Sequence, residues 1–93
     1  MTQEEKVIDA KEFASMMISC LLAVEFNKSK PNKAIKHTLS LVKARVTSNR
    51  IKAMCDNGLK SIYPIGWLSR QENNIGRIGE MSTDEYLKIG ANL

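Results

Sequence analysis

The sequence predicts a mainly α-helical protein: a small helical domain with a long N-terminal helix, a basic helix–turn–helix-like pair and an irregular C-terminal part. Apolar residues recur every three or four positions over the first 26 residues, which is the helical period. Residues that favour helix starts precede each periodic segment. The chain has 93 residues, the size of one domain, so we expect residues 1–93 to form a single small helical domain.

The first predicted helix covers residues 3–26. Thr2 and Glu5 have the spacing of a capping box, in which each side chain satisfies a free backbone N–H of the first turn. Asn27 and the Lys-Ser-Lys-Pro segment end the helix. Its main apolar stripe is predicted to be Val7, Ala10, Ala14, Met17, Leu21 and Val24, but further apolar residues lie on both flanks of that stripe. A helix that is apolar all round must be covered all round. We therefore expect a homo-oligomer or a stable hetero-complex through helix 3–26; the alternative is that the rest of the domain wraps this helix.

Two shorter helices should follow. Pro31 suits the first turn of the second helix, whose apolar stripe is Ile35, Leu39, Val42 and Val46. The segment 46–49 predicts a break, and a third helix at about 49–56 would bury Ile51, Met54 and Cys55. Gly58 is predicted to stop that helix in a left-handed C-terminal conformation.

The remainder of the chain is less regular. Pro64 and Gly66 predict an extended or looped segment at 59–68, with a short edge strand as one possibility, and a brief helix at about 67–74. The Tyr63–Pro64 bond is a candidate for a cis peptide. Ser82 and Glu85 offer a second capping box for a last helix at about 83–89.

The most informative feature for function is a block of basic residues in the middle of the chain. Residues 28–60 contain nine Lys or Arg and one acid, Asp56, whereas residues 1–27 carry a net charge of −3 and residues 61–93 a net charge of −1. Such a concentration of positive charge favours an anionic partner, either nucleic acid or an acidic protein surface. The candidate contact residues are Lys33, Lys36, Lys43, Arg45, Asn49, Arg50 and Lys52. The alternative is a solvated face that keeps the protein in solution.

A more specific interpretation is a DNA-reading helix-turn-helix. The segment 46–51 resembles the turn and the start of a recognition helix, and Asn49, Arg50 and Lys52 are residue types that contact bases or phosphates. Such a turn usually contains a glycine, and Arg45 or Val46 stands in its place. The sequence is therefore a poor match to a sequence-reading motif.

A second candidate surface surrounds the single tryptophan. Tyr63, Pro64 and Trp67 form either an apolar lid over the helical core or an exposed segment that docks on a protein partner, because Tyr and Trp are enriched in interface hot spots.

The sequence contains no pattern of residues that is typical of a catalytic or metal-binding site. Cys20 and Cys55 have no metal-ligand spacing and suit buried reduced thiols. His37 has no second His or carboxylate at ligand spacing, and 75–80 is not a phosphate loop. We expect no catalytic residues, no metal and no cofactor.

The sequence therefore predicts a non-enzymatic regulator or inhibitor that binds nucleic acid or a nucleic-acid-processing complex through a basic helical surface. The alternative is a protein-only interaction module, such as a small accessory protein or a phage-type host-takeover inhibitor, docking through Tyr63, Trp67 and the apolar N-terminal helix. The acidic N-terminus is unlike a basic signal peptide, and the longest uncharged apolar run, 13–24, is too short to cross a bilayer. We expect a cytoplasmic protein without a membrane partner.

Overall fold

Residues 2–75 fold into a packed group of four helices. The computed structural model describes the backbone of residues 2–75 and the side chains of residues 2–71. The helices are α1 (Gln3–Phe26), α2 (Pro31–Arg45), α3 (Asn49–Lys60) and α4 (Pro64–Ile75). No strand occurs within residues 2–75, so the mainly α prediction is confirmed. The helix expected at 83–89 lies outside the described residues.

The ends of α1 are those that the sequence predicts. The Glu5 N–H donates to Thr2 Oγ1 at 3.1 Å, and the Thr2 N–H donates to Glu5 Oε1 at 3.5 Å, which completes the capping box. At the other end, the Asn27 side-chain amide donates to the Ala23 carbonyl oxygen at 2.9 Å. That bond satisfies one of the carbonyl groups left free at the end of a helix.

The next two helices also begin as expected. Pro31 is in the first turn of α2, and α3 begins after Ser48, whose Oγ accepts a hydrogen bond from the Ile51 N–H at 3.4 Å. The predicted apolar residues are buried in both helices: Ile35, Leu39, Val42 and Val46 in α2, and Ile51, Met54 and Cys55 in α3.

The prediction for Gly58 was wrong. Gly58 does not end α3, which continues to Lys60, and no described glycine has a positive φ. It is a buried point of close approach instead, because a Cβ atom there would lie 2.5 Å from Leu39 Cδ1 and 3.0 Å from the Trp67 ring. An Asn-Gly pair ends many helices, but here the missing side chain lets α3 pack tightly against α2 and α4.

The extended or looped segment predicted at 59–68 is limited to residues 61–63, and the edge strand was wrong. Pro64 starts α4, where its fixed φ suits the first turn and its missing N–H leaves no donor unsatisfied. The Tyr63–Pro64 bond is trans. The next residue, Ile65, has a backbone N–H without a partner inside α4, and this N–H donates to Asn32 Oδ1 of α2 at 3.0 Å. The brief helix expected at about 67–74 is therefore part of a longer helix, in which Trp67 and Leu68 are buried.

The core selects a different face of α1 from the predicted one. The buried apolar residues of α1 are Phe13, Met16, Met17 and Cys20, while Val7 of the predicted stripe is 43% exposed. Of that stripe, Met17 is buried, and Leu21 and Val24 pack at the core's edge. Because α1 is apolar on nearly every face, its period does not determine which face turns inward, and the large side chains of Phe13 and Met16 occupy the core.

None of the described helices is both long enough and apolar enough to cross a membrane.

We predict that Gly58→Ala destabilises the fold by about 1–2 kcal/mol, because overpacking against Leu39 and Trp67 costs more than the helix-propensity gain of alanine. Gly66→Ala is the matched control. The Cβ at position 66 would meet only the Arg70 side chain at 3.7 Å, so this change should be neutral or slightly stabilising. Urea unfolding followed by Trp67 fluorescence measures both. Equal stability of the two variants would contradict the close-packing role of Gly58.

Candidate functional site

The basic block is divided by the fold into paired and unpaired charges. Lys43 of α2 forms an ion pair with Asp56 of α3. The Arg50 guanidinium lies 3.9 Å from the carboxylate of Asp9, which is buried in α1. Two of the seven predicted contact residues, Lys43 and Arg50, therefore have a carboxylate partner inside the domain.

A carboxylate of α1 also holds the connection between α2 and α3. One oxygen of Glu12 accepts the Thr47 N–H at 2.8 Å and the Thr47 hydroxyl at 2.7 Å, and the other accepts the Ser48 N–H at 2.9 Å. Burial alone would raise the pKa of Glu12, but these hydrogen bonds and the positive charge of Lys52 outweigh it, so the pKa is lowered. Glu12 is thus an ionised anchor between α1 and the break at 46–48.

Carboxylates consequently surround the start of α3. Glu5 and Asp9 line an open groove of about 400 Å³ together with the residues at the α3 N-terminus, Thr47, Ser48, Asn49 and Arg50. Glu12 lies beside Lys52. A phosphate backbone approaching this end of α3 would meet three acidic side chains of α1. This geometry disfavours α3 as a DNA recognition helix, and Asn49, Arg50 and Lys52 become weak candidates for nucleic-acid contact.

The exposed face of α2 has the opposite character. Lys30, Lys33 and Lys36 are exposed, and none of them forms an ion pair with any carboxylate of the described residues. His37 is exposed on the same helix. Lys28 pairs with Glu25 at 3.2 Å, but both side chains are open to solvent and such a pair is weak. Arg45 is exposed at the far end of α2.

An open groove of about 320 Å³ runs beside these lysines, between the end of α1 and the start of α2. It is lined by Ala23, Asn27, Lys30, Lys33, Ala34, His37 and Thr38. Its walls combine small side chains, polar groups and two lysines. Such a groove offers room for an extended anionic ligand but no deep apolar pocket.

The second predicted surface is only partly available. Pro64 and Trp67 are buried, and Trp67 packs over Gly58. This burial agrees with the apolar-lid interpretation of Trp67, and in this chain the two residues offer little surface for docking on a partner. Tyr63 is 72% exposed and stays available.

One face of α1 is apolar and exposed. Its large solvent-facing side chains are Val7, Ile8, Ile18, Leu22 and Phe26. Ile18, Leu22 and Phe26 follow each other at one-turn spacing and lie on one side of the helix. The apolar surplus that the sequence indicated therefore reaches solvent in this chain.

The remaining chemistry-bearing groups lie in unreactive surroundings. Cys20 and Cys55 are free and buried, and Cys55 Sγ lies 3.6 Å from Met16 Sδ. Burial, reinforced by the neighbouring Cys55, raises the pKa of Cys20 to about 12, and burial with the nearby Asp56 raises that of Cys55 to about 11. Protonated buried thiols are poor nucleophiles. Within residues 2–75, no group of His, Cys, Asp or Glu is placed to hold a metal ion.

Two residues that shape this surface escaped prediction from the sequence. Asp9 and Glu12 of α1 balance the positive charge at the start of α3, yet they precede their partners by more than 30 positions and no motif links them.

The described residues form a small all-α domain. Its exposed cationic face consists of Lys30, Lys33 and Lys36, which form no ion pair with a described carboxylate. The chain belongs to the family described as Domain of unknown function (DUF7740), whose model matches residues 11–76. That range runs from the middle of α1 to just past the end of α4. Comparison with curated proteins and with solved structures gives no match.

We predict that Glu12→Gln lowers the free energy of unfolding by about 1 kcal/mol at about pH 7, since the amide is neutral and its NH2 would face one of the two backbone N–H donors that the carboxylate oxygens accept. The pKa of Glu12 is lowered on folding, so the carboxylate's contribution is present above its ordinary value of 4.5 and is lost as the pH falls through the folded-state pKa. The difference between wild type and variant should therefore be smaller in acid, below pH 4.5, than at about pH 7.

Urea unfolding at both pH values checks this, with Glu25→Gln as the control for an exposed carboxylate that has only a helix-surface partner. A stability difference that persists unchanged at acid pH would show that charge on Glu12 is not the cause.

Proposed function

We propose that this domain is a non-enzymatic binding protein, a regulator or inhibitor that contacts nucleic acid or a nucleic-acid-processing complex. The contact surface is the exposed face of α2, with Lys30, Lys33 and Lys36 at its centre. The observation that carries the proposal is the absence of carboxylate partners for these three lysines among the described residues, next to the pairing of Lys43 and Arg50.

The physical argument rests on where the positive charge is available. A lysine that already has a carboxylate partner gives little net attraction to a phosphate, because that attraction must compete with the existing pair. An unpaired exposed lysine can neutralise a phosphate and release a condensed counterion. In this proposal Lys33 and Lys36 contact phosphates, and Arg45 adds a positive charge at the other end of α2. Lys43 instead links α2 to α3 through its ion pair with Asp56. The two free cysteines suit a reducing compartment, which supports a cytoplasmic setting.

The test compares two double variants that remove the same charge. We predict that Lys33→Gln with Lys36→Gln weakens binding to a short DNA or RNA at least about tenfold at low salt. The slope of log K against log salt should fall by about two. Lys6→Gln with Lys11→Gln on α1 should change binding much less. Fluorescence anisotropy over a salt series measures both effects.

Equal losses in the two double variants would mean that net charge, not the α2 face, drives binding. No binding by wild-type protein at any salt would overturn the nucleic-acid proposal.

A second candidate function is a protein-only interaction module or a homo-oligomer. The observation in its favour is the exposed apolar face of α1, where Ile18, Leu22 and Phe26 offer a continuous stripe of the kind that helices bury against a partner helix. Tyr63 is available to such a partner, whereas Pro64 and Trp67 are not.

Two leucines of equal exposure provide a matched test. Leu22 and Leu41 are both 52% exposed, but Leu22 lies in the α1 stripe and Leu41 lies on α2. If α1 mediates association, Leu22→Glu should convert a multimer into a monomer in sedimentation velocity, while Leu41→Glu leaves the multimer intact. A monomeric wild-type protein would contradict self-association.

A further inference from the structure

Three segments of the chain meet at one end of the molecule: the end of α1, the start of α2 and the start of α4. The Lys30 N–H donates to the Asn27 carbonyl oxygen at 3.1 Å, which folds the α1–α2 connection into a tight turn. The Ile65 N–H donates to Asn32 Oδ1 at 3.0 Å, which fixes the α4 start beside the α2 start. We call this region, residues 26–33 with 62–65, the α2 pole.

Large apolar side chains are unusually exposed at the α2 pole. Phe26 is 80% exposed, Ile62 82% and Tyr63 72%, the highest values among the exposed large apolar residues of the described part. Covering one such side chain is worth about 1.5–3 kcal/mol. The domain therefore leaves two aromatic rings open to a ligand at the end where α2 begins.

Two lysines lie in the same segment of the chain as Phe26. Lys30 and Lys33 belong to the α2 pole and line the groove of about 320 Å³ beside it. Neither has a carboxylate partner within the described residues. Phosphate-binding cations next to exposed aromatic faces form the combination with which proteins hold single-stranded nucleic acid.

We infer that the ligand of the α2 pole is single-stranded nucleic acid. Lys30 and Lys33 hold phosphates along the groove, and the rings of Phe26 and Tyr63 stack on unpaired bases. This inference rests on the proposed function and narrows it. In a duplex the bases are stacked on each other and their faces are closed to aromatic side chains, so the rings would contribute nothing.

The same surface indicates weak sequence preference. Aromatic rings stack on any base, and lysines bind phosphates as point charges. A protein partner is less well matched, because the groove is lined mainly by small and polar side chains and has no deep apolar pocket for an anchoring residue. Charge complementarity favours a polyanion.

The test measures anisotropy with a labelled oligothymidine of about 12 nucleotides and with a duplex of equal length. Wild-type protein should bind the single strand more tightly. Tyr63→Leu and Phe26→Leu should each lower single-strand affinity about 5- to 100-fold while leaving duplex affinity unchanged. Leu41→Ala, which removes an exposed apolar side chain of α2 outside the α2 pole, should change neither by more than about twofold. Retained emission from the buried Trp67 shows that each variant is folded.

Each outcome bears on a different claim. Equal affinity for both forms, unaffected by Tyr63→Leu and Phe26→Leu but lowered by the Lys33→Gln and Lys36→Gln pair, would overturn the single-strand inference and leave the proposed function standing. Losses of the same size for Leu41→Ala as for Tyr63→Leu would overturn the stacking role. No binding to either form would overturn both proposals together.

Discussion

The carboxylate of Glu12 is the interaction on which the arrangement of this domain most depends. It lies on α1, yet it accepts both backbone N–H groups of Thr47 and Ser48 at the break between α2 and α3. Both N–H groups lie just before α3, which begins at Asn49, and Glu12 satisfies both of them. These hydrogen bonds tie α1 to the α2–α3 connection. Further along α3, Gly58 lies against Leu39 of α2 and the Trp67 ring of α4.

The same acidic side of α1 determines how charge is distributed over the surface. Asp9 lies near Arg50, and Glu12 lies near Lys52, so the start of α3 is locally balanced. Lys43 is balanced by Asp56. Lys30, Lys33 and Lys36 at the start of α2 form no ion pair with a carboxylate of the described residues. A basic block that is continuous in the sequence therefore becomes one open cationic face and one locally balanced junction.

Part of this arrangement follows from the sequence, and the reason differs from element to element. The Thr2–Glu5 capping box and the α2 stripe were predictable because local spacing determines them. The orientation of α1 was not, since an all-round apolar helix has no preferred inward face. A glycine such as Gly58 is typical both of helix ends and of places where helices pack closely. The sequence does not distinguish the two, whereas the structure does, because Trp67 and Leu39 lie against Gly58. The pairing of Asp9 and Glu12 with residues on α3 and at its start depends on tertiary structure alone. Lys33 and Lys36 are exposed because they lie away from the predicted α2 stripe, whereas the burial of Trp67 depends on how α4 packs against α3.

The central claim is that the folded domain confines anion binding to the start of α2 and excludes it from the start of α3. Backbone amide chemical shifts recorded while a short single-stranded oligonucleotide is titrated into the labelled protein test this most directly. The account predicts progressive shifts at residues 26–37 and 62–65, with residues 47–52 nearly unmoved. Large shifts centred on Asn49, Arg50 and Lys52, with residues 30–37 unaffected, would contradict it.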